Sequence, residues 1–165
     1  MYTYKLAAAD GTKQWHALHK GDRSQSTETL IQQQFGGIEE DNAGNVIVSG
    51  PVGSGGAQVM GLMKYDAGGN ELWYYETSAK DDHHVAVDKQ ITTPSVPLGL
   101  AVDEAGNAYI TGVDVTSAIV TAPEGVTVTM RVNGDGRWAW RNYYCGSQNR
   151  TRPYDIGLDE DGAVY

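Results

Sequence analysis

"GLAVDEAGNAYITG", residues 99–112, decides how this chain folds. An apolar stretch runs into Asp103, Gly106 follows three residues later, and an alternating strand leaves the turn. An Asp side chain can bond the backbone two residues on, and the glycine accepts the positive φ that closes the turn. Nearly the same phrase stands earlier as "GGIEEDNAGNVIVSG", with Asp41 and Gly44. It returns in short form as "DIGLDEDGAVY", with Asp159 and Gly162. One turn recurring at intervals of roughly 60 residues marks a repeat array, which has to be recognised before any other fold argument.

A second phrase alternates with the first: "KLAAADGTKQW", "KYDAGGNELW" and "RVNGDGRWAW". In each, a glycine precedes a tryptophan by four residues, as Gly11/Trp15, Gly69/Trp73 and Gly136/Trp140. Even spacing keeps the indole on a constant face of the outgoing strand. Trp15, Trp73 and Trp140 therefore read as packing residues between neighbouring sheets, because a ligand site would occur once rather than in every unit.

The Trp-type hairpins span about 2–19, 57–76 and 126–144, and the Asp-type hairpins 38–50, 99–112 and 154–165. One Asp-type hairpin followed by one Trp-type hairpin makes a four-stranded antiparallel meander. Such a sheet has two apolar faces and two open edges and cannot bury its hydrophobic surface alone. Radial stacking solves both problems, so the expected fold is all-β, a β-propeller with four-stranded blades.

"VDEAGNAYITG" and "EDNAGNVIVSG", each followed by a hairpin like "KYDAGGNELW", resemble the bacterial seven-bladed β-propeller repeat of the SBBP type. The resemblance covers most of the chain outside 20–36, 77–97 and 113–125. Ala163 stands where that repeat favours Asn, and Asn133 where it favours Asp; both keep turn chemistry. The resemblance implies a propeller, a bacterial origin and an extracytoplasmic or cell-surface location. It supplies no catalytic residues and no cofactor.

The whole chain, 1–165, is expected to form one partial propeller, with blades at about 38–76 and 99–144 and a split blade built from 154–165 and 2–19. Three blade-equivalents cannot close a ring, since propellers typically have four to eight. The two half-blades are thus expected to pair between molecules, giving a six-bladed homodimer with twofold symmetry. A segment of a longer array is the alternative.

Composition agrees with many short strands and turns: 21 glycines, and ten tyrosines and four tryptophans against one phenylalanine. The net charge of −9 argues against a nucleic-acid partner or an anionic membrane surface. No apolar run is long enough for a membrane-spanning helix. The start, "MYTYKLAAADG", lacks the pattern of a signal peptide. Cys145 is the only cysteine, so no internal disulfide forms, and it reads as a packing residue.

Several clusters gather residue types capable of chemistry. Asp81, Asp82, His83, His84 and Asp88 crowd "KDDHHVAVD", but adjacent histidines on an extended segment point apart and share one metal poorly. His16 and His19 would likewise face opposite sides of a strand. "NGDG" (133–136) and "DEDG" (159–162) lack the full ligand series of a calcium loop. "GPVGSGGAQ" (50–58) lacks the Lys–Ser/Thr and the helix of a phosphate loop. No metal and no cofactor are expected.

The best ligand patch is Arg131, Arg137 and Arg141 interleaved with Trp138, Trp140 and Tyr143, with Tyr144, Arg150 and Arg152 close by. Arginine over aromatic rings suits anions, glycans or peptide carboxylates. The function expected is a non-catalytic binding or scaffold module, its ligand a small molecule, glycan or peptide at the loop end or in the central channel. Alternatives are an architectural repeat of a larger surface protein and, behind that, a hydrolase or a quinone-dependent oxidoreductase. "GTKQW" and "GNELW" also look like hairpins of quinone-binding propellers, without that family's cofactor clasp.

Overall fold

The computed structural model of the chain describes residues 2–18, 36–52, 59–77, 95–114, 126–144 and 151–165. These residues are all-β, with no helix among them. Ten strands follow in order: β1 (Tyr2–Leu6), β2 (Lys13–Leu18), β3 (Gly37–Glu40), β4 (Val46–Val52), β5 (Val59–Tyr65), β6 (Glu71–Glu76), β7 (Ser95–Val102), β8 (Ala108–Asp114), β9 (Val126–Val132) and β10 (Trp138–Tyr144). They form three antiparallel sheets: the hairpin β1–β2, the meander β3–β4–β5–β6 and the meander β7–β8–β9–β10. Residues 151–165 add a small hairpin in which Leu158 faces Val164 as an isolated bridge.

The meander β3–β6 is covered on both faces, and its sequence says why. "VMGLMKY" along β5 is buried at every position, as expected of a strand with an apolar layer above and below it. Met60 and Leu62, with Ile47 of β4, pack against Leu100, Ala108, Ile110, Val128, Met130 and Val132 of the next meander. Val59, Met63 and Tyr65, with Val48 and Val52, form the opposite layer, onto which Trp15 and Ala17 of the β1–β2 hairpin pack. Alternation along each strand sends successive side chains to opposite faces, so one sheet can serve two interfaces.

Close packing between β3 and β7 is set by glycine. A Cβ at Gly37 would lie 2.7 Å from the Leu100 Cβ. The contact repeats one step along: a Cβ at Gly99 would lie 3.0 Å from the Ile156 nitrogen. Residues 155–156 thus sit on β7 much as β7 sits on β3.

Each hairpin turn carries one positive-φ glycine, at Gly11, Gly44, Gly69, Gly106, Gly136 and Gly162. Within each meander the two turns lie at one end, and the Trp15 and Trp73 hydrogen bonds to Ala67 and Gly134 bring the turn ends of successive units together. The described strands run out at the other end.

Candidate functional site

The turn end is built from aspartates that satisfy backbone amides. Asp41 Oδ1 accepts from the amides of Ala43 and Asn45, both at 2.9 Å. Asp66 does the same for Gly68 and Asn70, at 2.8 and 2.9 Å. In the third Asp-type turn Asp159 accepts from Asp161 and Ala163, at 3.0 and 2.8 Å. These are Asx turns, in which a side chain replaces a ladder partner.

The second carboxylate oxygen takes an asparagine amide in three turns, with other donors beside it or in its place. The Nδ2 groups of Asn45, Asn70 and Asn107 donate to Asp41, Asp66 and Asp103 at 2.8 to 2.9 Å. Tyr109 adds its hydroxyl to Asp103 at 3.1 Å. Where Ala163 replaces the asparagine, the Tyr165 hydroxyl alone reaches Asp159 Oδ2, at 2.9 Å. Asp41 instead gains Lys64, whose Nζ lies 2.8 Å from Oδ2 with both side chains almost fully buried. Burial pushes the Asp41 carboxyl up, but the hydrogen bond and charge of Lys64 and the donors on Asn45 outweigh it, leaving a pKa of about 2.

The Trp-type hairpins interlock along the stack. The Trp15 indole lies over Gly69, where a Cβ would come within 2.7 Å of the ring, and its Nε1 donates to the Ala67 carbonyl at 3.0 Å. One unit on, the Trp73 indole lies over Gly136, where a Cβ would meet it at 2.8 Å, and Nε1 donates to Gly134 O at 3.0 Å. Each tryptophan stands across the strand pair from a cation: Lys5 from Trp15, Lys64 from Trp73 and Arg131 from Trp140. A bulge just beyond each turn sets that pairing, since the register slips between Lys5 and Leu6, Lys64 and Tyr65, and Trp138 and Trp140. One extra residue on the outgoing strand shifts which side chain faces the partner strand's cation.

The arginine–aromatic residues divide among three places. Arg131 lies 5.6 Å from the Tyr109 ring centroid, and Trp140 meets the same ring edge-on at 6.1 Å, on the face of β8–β10 turned away from β3–β6. Arg141 and Tyr143 pair across the strands with Met130 and Val128 and so face the other way, into the junction between the meanders. There Arg141 Nη1 donates to the Tyr143 hydroxyl at 3.2 Å. Burial pushes the Tyr143 phenol up, Arg141 opposes it, and Asp114 adds to the rise. Trp138 pairs with Val132 on this inner face. Arg137 sits exposed in the turn with Asp135 at 3.6 Å, a pair that solvent screens.

His16 stacks on Tyr4, with ring centroids 6.1 Å apart, on the exposed face of the first hairpin. Asp81, Asp82, His83, His84, Asp88, His19, Cys145 and Arg150 lie outside the described residues. Among the described residues no group of three or more His, Cys, Asp or Glu gathers around one point. Sequence reasoning missed the cation opposite each tryptophan and the role of the Asn after Gly44, Gly69 and Gly106, whose amide holds the turn aspartate. Both had a signal: "GN" recurs at 44–45, 69–70 and 106–107, and a Lys or Arg stands ten, nine and nine residues before Trp15, Trp73 and Trp140.

No protein-family model matches the chain, and no curated protein is significantly similar to it.

Proposed function

We propose that this chain is a non-catalytic scaffold of the β-propeller type, its meanders serving as blades, that binds a small molecule, glycan or peptide and associates with a second copy of itself. The SBBP-type repeat is the family this reading names. One observation carries it: the same Trp-over-Gly contact, with the same hydrogen bond to a turn carbonyl, links successive units twice. A repeated step of this kind is how blades stack about an axis. The turn aspartates Asp41, Asp66, Asp103 and Asp159, which would be natural acid–base residues of a hydrolase, are engaged with turn amides and held below the ordinary carboxylate range.

The test is direct. Purified protein is scattered in solution and then probed against glycan and peptide arrays, with a broad hydrolase screen and a visible spectrum alongside. A compact ring-shaped particle that retains array ligands without turnover supports the reading. An elongated particle refutes the propeller, and hydrolysis or quinone absorbance refutes the non-catalytic assignment.

A further inference from the structure

The two internal contacts define what a third would need: a glycine turn with open space above it, and an indole whose Nε1 has no acceptor. Both are present at opposite ends of the stack. Among the described residues, a Cβ at Gly11 would meet nothing within 4 Å, whereas at Gly69 and Gly136 it would strike the indole of the preceding unit. Among the described residues, the Trp140 Nε1 has no acceptor, while Trp15 and Trp73 each have one.

The faces around them tell the same story. Tyr4, Met63 and Met130 occupy one repeat position, opposite the residue after each tryptophan: His16, Tyr74 and Arg141. Tyr4 is 55% exposed, and the two methionines are 0% exposed. Tyr2, Leu6 and Leu18 are exposed on the same face of the hairpin as Tyr4 and His16. Across the stack, Asn142 and Tyr144 stand exposed beside Trp140 on the outer face of β10.

We infer that Trp140 of one copy docks over the Gly11 turn of a second copy, its Nε1 donating to a carbonyl of the 7–10 segment, while the face carrying Tyr4, Leu6 and His16 packs on the face carrying Trp140 and Asn142. This deepens the homodimer named above and rests on that reading. The occupant is a second copy because the complementary half of the contact is on this same chain, and its geometry is given twice inside it. The register of the two meanders extends naturally: Ala108 pairs with Val132 and Val46 with Tyr65, so Val164 would pair with Leu6 of the other copy. The contact is head-to-tail, and two of them close a twofold pair.

Light scattering across a concentration series reads the result. The wild type should show twice the chain mass of 17.8 kDa. A ladder of higher masses would keep the docking contact and remove ring closure. Tyr4→Glu blocks the turn-bearing face, and Trp140→Ala removes the indole. Asn142→Glu, an exposed change on the same face, covers the case in which Trp140→Ala unfolds the sheet. Each variant alone should fall to the monomer mass, and an equimolar mixture of Tyr4→Glu and Asn142→Glu should recover dimer through the one contact left intact. A wild type that stays monomeric overturns the docking, as does a dimer that survives both tail variants and is lost only in Tyr4→Glu, because that hairpin would then pair with itself. The underlying reading is tested separately inside one chain. If, in the monomeric Tyr4→Glu background, Gly136→Ala costs no more stability than Gly11→Ala, the stacked-repeat reading itself falls.

Discussion

The junction between the two meanders and the outer face of the β1–β2 hairpin are built from the same repeat positions and end in opposite states. In the junction, Met130 and Val132 are sealed against Ile47, Met60 and Leu62. On the hairpin, the equivalent Tyr4 and Leu6 lie open. Strand, turn and bulge are shared, so local structure does not cause the difference. What differs is whether another unit lies on top. Burial in a repeat protein belongs to the neighbour as much as to the strand, and stability follows the number of filled interfaces.

That comparison is broken most severely by truncating the shared position in each region. Met130→Ala opens a cavity in a sealed layer and should cost about 2–5 kcal/mol. Tyr4→Ala, measured in dilute monomer, should stay within about 0.5 kcal/mol, as for an exposed surface position. Denaturant midpoints of the two variants check this. Equal losses would mean that the hairpin face is covered within a single chain.

The turn glycines give the next largest contrast. Gly11→Ala, measured in dilute monomer, carries only the strain of a positive φ, about 1 kcal/mol. Gly136→Ala carries the same strain and also drives a methyl into the Trp73 ring, so we expect roughly 2–3 kcal/mol, with displacement of the indole costing more than the backbone. Thermal unfolding, with Trp fluorescence as the reporter of the displaced ring, separates the two costs.

Acid should distinguish the buried turn from the exposed ones. The Asp41 carboxyl, ordinarily near 3.8, falls to about 2 in the fold. A depressed carboxylate stabilises the fold above its unfolded pKa, and the contribution is lost as pH falls through the folded one. Stability should therefore drop by roughly 2 kcal/mol between about pH 4 and pH 2 on account of this group. Lys64→Met should abolish most of that pH dependence while lowering stability at neutral pH, because it leaves a buried carboxylate unpaired. Urea titrations at stepped pH measure both effects.

Much of the all-β architecture was legible because its turns are written in chemistry that acts locally. Asp103 and Gly106 need only their own four-residue neighbourhood to form a turn, and Trp73 falls at a fixed distance from Gly69. The meander order followed from the alternation of two phrases. The arginine patch was not legible in the same way. Arg131 and Arg141 are ten residues apart on paired strands, and a bulge between Trp138 and Trp140 decides which face Arg141 occupies. Composition cannot register a one-residue slip, yet that slip turns Arg141 to Tyr143, away from the face where Arg131 meets Tyr109. The Asp41–Lys64 pair escaped notice for a related reason: its partners come from different hairpins and meet only through the β4–β5 pairing.

The smallest expected effect tests whether the turn chemistry is modular. In the Asp159 turn Ala163 leaves Oδ2 with a single donor, the Tyr165 hydroxyl, where the Asp103 turn has both Asn107 and Tyr109. Ala163→Asn supplies the missing amide at an exposed site, so the gain should be no more than about 0.5–1 kcal/mol. The local signature should be clearer than the global one: slower hydrogen exchange at Gly162, whose amide donates to the Asp159 carbonyl at 3.0 Å, with no change at Gly106 or Gly44. The reverse change, Asn107→Ala, should speed exchange at Gly106 only partly, because Tyr109 still holds the carboxylate. If both substitutions leave exchange untouched, the asparagine is incidental, and the Asp–Gly pair alone sets these turns.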